Sequence, residues 1–377
     1  IARDGTGYLQ SFDDRFKADL IIENRYLSGV HLGDLILAKI LSSRKSRLHA
    51  KVLMCIKPAF LTSVVYTKRF GREILGVNVK TGLANPLKAT QKSLKQLPAN
   101  TLLKIDNLTN EITEVIGSLS DPFVDEKISL AIYDKNDEFN EACKQQAASF
   151  GSEVDEALYP QRVDLQHLPF CTIDPIDAKD FDDAIYFDVK ERTLYVAIAD
   201  VSEYVSEYSP IDKEAKFRGF SIYFPHRSVP MLPRELSENI CSLMPDLPRL
   251  AFVFKISLDE NLNPQKQELF EAIIRSKRRY NYDEVDEILR TREAAEPEIL
   301  SWLLPLNEIC ERLRRARLKR GFDFRTKELR ITLDERGFIS STRFETDTPS
   351  HKLIEDCMLL ANKAAAARIE RGVFRNH

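Results

Sequence analysis

The segment Thr172-Ile173-Asp174-Pro175-Ile176-Asp177-Ala178-Lys179-Asp180-Phe181-Asp182-Asp183-Ala184 sets five carboxylates within ten residues. Leu168-Pro169-Phe170 precedes it and Ile185-Tyr186-Phe187 follows, so the charges sit between stretches that seek burial. Crowded carboxylates beside apolar elements repel one another and are costly to desolvate unless cations neutralise them. An all-oxygen donor set selects hard cations (magnesium, manganese or calcium) and argues against zinc. An EF-hand is excluded: counted from Asp174, the segment lacks the alternating aspartates, the central glycine and the closing glutamate. The spacing is D-x5-D-x-D-D, on Asp174, Asp180, Asp182 and Asp183. Such a set can hold two cations about 4 Å apart for in-line attack on a phosphodiester. The bland alternative is a solvated acidic turn, and the apolar flanks weigh against it.

The elements around this segment must position it. Ala184 to Val189 and Leu194 to Val201 predict a hairpin turning at Lys190-Glu191-Arg192, with the carboxylates on the loop feeding its first strand. Leu250 to Ser257 predicts a strand, and Tyr282 to Leu289 and Pro297 to Gly321 predict helices. The second helix carries Arg312-Leu313-Arg314-Arg315-Ala316-Arg317, which reads as a half-buried surface helix more readily than as an RNA path. From residue 161 onward the pattern is mixed α/β. Upstream it differs. Gly7-Tyr8-Leu9, Asp19 to Ile22, Asp34 to Lys39 and Lys51 to Met54 are short, evenly spaced strands, as in an OB-fold or cold-shock barrel. Tyr8 either stacks a base from the barrel surface or is simply a barrel residue. Arg44-Lys45-Ser46-Arg47 is a basic turn, better read as a solvated loop than as a phosphate site. A second barrel follows, with strands at Ser63 to Tyr66 and Leu102 to Ile105, although Lys80 to Lys95 matches no pattern. Residues 126 to 150 predict a helix joining the barrels to the last domain. The expected boundaries are 1–57, 58–133, 134–160 (helical linker) and 161–377.

Composition narrows the class little. A 43% hydrophobic and 30% charged chain is an ordinary soluble protein, and a net charge of −3 excludes neither an acidic nor a nucleic-acid partner. The six cysteines form no C-x-x-C pair, so neither a disulfide framework nor a zinc knuckle is indicated, and a reducing cytoplasm is the expected location. No apolar run approaches a membrane span, and the amino end shows no signal-peptide pattern.

The acidic segment resembles the catalytic signature of the ribonuclease II and ribonuclease R family of 3′-to-5′ exoribonucleases. Ala199-Asp200-Val201-Ser202 with Tyr204-Val205 is similar to the family's next segment, except that Glu203 stands where a histidine or aromatic is common. Arg218-Gly219-Phe220-Ser221-Ile222-Tyr223-Phe224-Pro225, Val229-Pro230-Met231-Leu232-Pro233, Leu236-Ser237 and Cys241-Ser242-Leu243 follow in family order. His351 to Asn362 looks like the family's late helix, and Asp121-Pro122-Phe123-Val124-Asp125 like the end of its second cold-shock domain. The ribonuclease R branch is the nearer one.

The resemblance implies two cold-shock-like OB barrels followed by a mixed α/β catalytic domain. It implies magnesium, or manganese, at Asp174 and Asp183, with Asp180 and Asp182 orienting a second ion and the attacking water. Asp177 then lies just outside the ligand set and Asp200 is structural. Tyr223 and Phe324 become the aromatic walls around the last nucleotides, while Tyr282 and Glu355 contact the terminal base or sugar. Single-stranded RNA is the implied partner, with an RNA helicase or the ribosome as further candidates, and a monomer is expected. The family's downstream arginine motif and carboxy-terminal OB-fold do not appear before Asn376-His377. The chain therefore reads as a fragment, cut at both ends, with weak or absent activity of its own. Two rival readings are a noncatalytic RNA-binding module, disfavoured because all four aspartates are present, and a phosphodiesterase for DNA or a small nucleotide.

Overall fold

The computed structural model describes residues 6–12, 16, 18–27, 30–41, 48–322 and 327–374. Phe324 and the basic turn Arg44-Lys45-Ser46-Arg47 lie outside the described residues. The chain divides into two units, Ile1–Asp137 with Leu333–Ser340, and Glu138–Thr332 with Ser341–His377.

The first unit contains two barrels. Strands β1 (Gly7–Leu9), β2 (Leu20–Ile22), β3 (Leu35–Ile40) and β4 (His49–Lys57) form a sheet of order β1-β2-β4-β3 around Leu20, Ile22, Leu27, Val30 and Ala50. Gly7 opens β1 where a Cβ would come within 2.7 Å of a Leu27 methyl, so a larger residue there would have to displace the Leu27 side chain from this core. The second barrel runs β5 (Thr62–Phe70), β6 (Glu73–Asn78), β7 (Ala84–Asn85), β8 (Thr101–Asp106) and β9 (Ile112–Ser118), in order β7-β6-β5-β8-β9. The stretch Lys80 to Lys95, which matched no pattern, supplies β7 and the single turn α1 (Gln91–Leu94), whose Leu94 fills the barrel core.

The helix expected over 126 to 150 is two helices. α2 (Val124–Ile132) packs Val124 and Ile128 against Val64 and Leu102 of the second barrel. α3 (Glu141–Ala148) belongs to the second unit, where Cys143 and Ala147 are buried. Between them Asp134 adopts φ 52°, a left-handed conformation that ends α2, and Asn140 caps α3 by accepting from Cys143 N.

The second unit is built on a seven-stranded sheet. Its strands are β10 (Val163–Asp164), β11 (Cys171–Asp174), β12 (Asp183–Asp188), β13 (Thr193–Ala199), β16 (Pro248–Leu258), β17 (Pro264–Arg275) and β18 (Arg278–Asn281), in order β10-β17-β16-β13-β12-β11-β18. Between β13 and β16 the chain makes α4 (Pro210–Arg218) and a small ribbon of β14 (Ile222–Tyr223) with β15 (Ser228–Val229). The expected hairpin is present: β12 and β13 pair antiparallel, Asp183 opposite Ile198 and Asp188 opposite Thr193. Side chains alternate across β12 with the period of a strand. Ile185 and Phe187 face one core, and Ala184 faces another containing Phe170, Ala197 and Val253. The first core is closed by α5 (Tyr282–Thr291), α6 (Leu300–Leu318) and α7 (Pro349–Ala366), through Val285, Trp302, Leu303, Leu306, Leu353 and Cys357. A hairpin of β19 (Glu328–Leu333) and β20 (Ile339–Glu345) precedes α7. The arginines of α6 are engaged within the protein, as expected of a half-buried surface helix. Arg312 donates to the carbonyls of Asn261 and Leu262, Arg315 pairs with Glu311, and Arg314 and Arg317 both reach Asp356.

Candidate active site

Two antiparallel strands bring the acidic segment to one end of the sheet. β11 ends on Asp174 and β12 begins on Asp183, so the residues between them form a loop at that end. β18 runs parallel beside β11 with Asp174 opposite Asn281, which delivers Tyr282 to the same end. A capping box fixes this corner: Asn281 Oδ1 accepts from Glu284 N at 2.9 Å, and the Glu284 carboxylate accepts from Asn281 N at 3.0 Å.

The loop is braced by its neighbours. Ser242 is fully buried; its Oγ accepts from Phe181 N and donates to Lys179 O, each at 3.0 Å. Leu243 N donates to Phe181 O, and Ala199 N donates to Asp182 O, both at 2.9 Å. From the other side, Arg279 Nη2 donates to the carbonyls of Pro175 and Ile176. Phe181 is buried while Ile176 and Asp177 are exposed, so the loop is pinned by one ring and by its backbone.

The carboxylates feel one another. Burial, then the charge of Asp183, pushes the Asp174 carboxyl up to about 7. Burial and Asp182 push Asp183 up to about 6, and burial and Asp180 do the same to Asp182, although part of Asp182 reaches solvent. Asp174 Oδ2 is buried and has no hydrogen-bond partner. Among the described residues no three acidic, histidine or cysteine side chains are drawn together tightly enough to hold an ion as they stand. The donor set nevertheless suits a hard divalent cation: its ligands are all carboxylates, it is strained by like charge, and one buried oxygen is without a donor.

The aromatic candidates flank the cluster. Gly219, at φ 80°, ends α4 in the left-handed conformation and turns the chain into β14, where Tyr223 stands 72% exposed. Burial and the charges of Asp180 and Asp182 raise its phenol, which places it on their side. Burial and the charges of Asp174 and Asp183 push the Tyr282 phenol up to about 12, so Tyr282 borders the other half. Tyr282 stacks on His351 with ring centroids 3.8 Å apart, and Ser350 Oγ donates to Tyr282 O. Glu355, one turn beyond His351 on α7, is exposed and lies 3.7 Å from Arg317. Its neighbour Asp356 is buried, held by Arg314 at 2.5 Å and Arg317 at 2.8 Å. Tyr8 is 54% exposed on β1 of the first unit, away from the barrel core. Asp200 is buried, accepting from Arg162 Nη2 at 2.6 Å and from Ser202 Oγ at 2.6 Å. That is a structural ion pair.

Sequence reasoning missed Arg279, the Arg314–Asp356–Arg317 triad and the bracing role of Ser242. Lys277-Arg278-Arg279 looks like any solvated basic run, and Asp356 is one carboxylate among many on a helix. Ser242 had a signal, its place directly beside Leu243 in a motif.

The RNB domain model matches residues 162–377, more than half of the chain, and the chain belongs to the RNB family. Within that family it is homologous to ribonuclease R. Models of the ribonuclease R first and second OB domains match residues 1–51 and 64–130. Ribonuclease R of Helicobacter pylori is 37% identical over 355 residues, which cover 91% of this chain and 54% of that protein. The structure of Mycoplasma genitalium RNase R in complex with ribose methylated single-stranded RNA superposes with a TM-score of 0.82 at 28% identity, covering 97% of this chain and 60% of that one. The same protein in complex with double-stranded RNA gives 0.77 at 30% identity, covering 91% and 61%. The chain thus spans about half the length of the curated relatives it matches. Among the described residues no helix is long and apolar enough to cross a membrane.

Proposed function

We propose that this chain is part of a 3′-to-5′ exoribonuclease that removes nucleoside 5′-monophosphates from the 3′ end of single-stranded RNA, in RNA decay and processing, the chain by itself being weakly active or inactive. The observation that carries the reading is the acidic sheet end, four aspartates with an orphaned Asp174 oxygen, bordered by Tyr223 and Tyr282. Asp174 and Asp183, at fixed strand ends, would hold one magnesium or manganese ion, and Asp180 and Asp182, on the loop, a second. The chemistry such ions supply is a lowered pKa for the attacking water and a stabilised leaving oxygen.

The chain's own groups do the rest. Exposed Tyr223 offers a face on which any base can stack, which suits digestion without sequence preference. Tyr282, locked by His351, offers a rigid surface to the last nucleotide, and Glu355 an acceptor for a sugar hydroxyl that DNA lacks. Ribonuclease R of Mycoplasma genitalium is described in complex with single-stranded RNA, which supports the choice of substrate.

The test is magnesium-dependent digestion of a 5′-labelled single-stranded RNA by this chain and by Asp182→Asn. Laddering from the 3′ end by the wild type alone is the expected sign of the exonuclease. RNA binding by both without digestion by either identifies a recognition module. Equal digestion by both places the chemistry elsewhere than on these aspartates.

A further inference from the structure

One side chain touches both ends of the acidic loop. Arg279 lies on β18 opposite Thr172 of β11, beside the strand that feeds the loop. Its Nη2 donates to the carbonyls of Pro175 and Ile176, each at 2.6 Å. Its guanidinium carbon sits 5.0 Å from the centre of the Phe181 ring, and its Nε is buried without a partner. Pro175 follows Asp174 directly, and Phe181 directly precedes Asp182 and Asp183. The guanidinium therefore spans the loop at its two roots, between the halves of the carboxylate set.

We propose that Arg279 is a positioning residue, which holds Asp174 and the Asp182-Asp183 pair at the separation from which they capture divalent cations. Five carboxylates within ten residues push the loop open, and a guanidinium that bonds two successive carbonyls through one nitrogen while its planar group sits by a ring resists that opening. A lysine ammonium carries the same charge and could reach the carbonyls from one nitrogen, but it has no planar group to lie against the Phe181 ring while doing so. Charge alone would give the opposite effect, since a cation beside the aspartates repels an incoming metal ion. The sign of the substitution thus separates geometry from charge. This inference rests on the metal-dependent reading above.

The experiment is a titration of the whole chain with manganese, free ion being read by electron paramagnetic resonance, on wild type, Asp174→Asn, Arg279→Lys and Arg279→Met. Positioning predicts that both Arg279 variants bind manganese about 10- to 100-fold more weakly, with single-stranded RNA affinity unchanged. Tighter binding by Arg279→Met together with wild-type binding by Arg279→Lys would show a charge effect only and overturn the proposal. Wild-type affinity in both variants would overturn it too. Should Arg279→Met fail to fold by circular dichroism, Arg279→Lys alone decides. A wild type that takes up no manganese, or an Asp174→Asn variant that binds as well as wild type, removes the metal reading itself and the proposal with it.

Discussion

Replacing Asp174 by Asn should make the metal-free protein more stable while destroying its capacity for metal. The Asp174 carboxyl is pushed up from 3.8 to about 7 by burial and by Asp183. Keeping it ionised in the fold therefore costs about 4 kcal/mol at full weight. Partial access to solvent leaves about half of that, ~2 kcal/mol. The direction in pH follows from the raised value. The folded chain prefers the protonated acid, so this contribution to stability is complete below the unfolded carboxyl pKa and drains away as pH rises through about 7. At pH 8 the wild type bears the whole cost and Asp174→Asn bears none. Oδ2 has no hydrogen bond to lose, so the amide forfeits little at that atom. In chelator at pH 8 the variant should melt about 4–8 °C above wild type, given about 2–4 °C per kcal/mol for a domain of this size. By pH 5 the difference should shrink to under ~1 kcal/mol. Magnesium should raise the melting temperature of the wild type and leave the variant where it was. Scanning calorimetry at both pH values, with and without magnesium, checks all three. A variant that melts at or below wild type at pH 8 would refute the idea that the cluster is electrostatically strained.

Two further outcomes are expected. Tyr223→Ala should weaken a short single-stranded RNA by about 1–3 kcal/mol, roughly 5- to 150-fold, in a fluorescence anisotropy titration, and equal affinity would remove Tyr223 from the RNA surface. Ser242→Ala leaves the buried Phe181 N without its acceptor and takes the hydroxyl donor from Lys179 O, so urea unfolding should show a loss of about 1–3 kcal/mol, and an unchanged midpoint would mean the loop is held without that hydroxyl.

The parts of this molecule that were legible in advance obey local rules. The apolar run from Ala184, broken at Lys190-Glu191-Arg192 and resumed at Leu194, is enough to write the β12–β13 hairpin and to lead the carboxylates into its first strand, which begins one residue earlier than expected, at Asp183. The four aspartates were visible because charge beside apolar sequence is costly, a conflict readable without coordinates. What escaped depends on pairing between distant segments. The helix over 126 to 150 breaks because Asp134 takes a left-handed turn that composition does not announce. Arg279 became notable only once β18 was seen lying parallel to β11, and Asp356 only once α6 was seen to bring Arg314 and Arg317 against it. A charged residue reveals its partner through packing, not through its neighbours in the chain.

The parallel pairing of β11 with β18 bears on how such a protein comes into being. Arg279 and Pro175 are 104 residues apart in the chain, with β12, β13, β16 and β17 all between them. Contacts of that separation close late, because the entropy of so long a loop must be lost before they form. During synthesis the carboxylates emerge well before the strand that completes their surroundings. A nascent chain therefore carries the acidic loop without its clamp, without the Tyr282 corner and without α7. The corner around Asp174 therefore takes its folded form only after β18 has been made and has paired with β11.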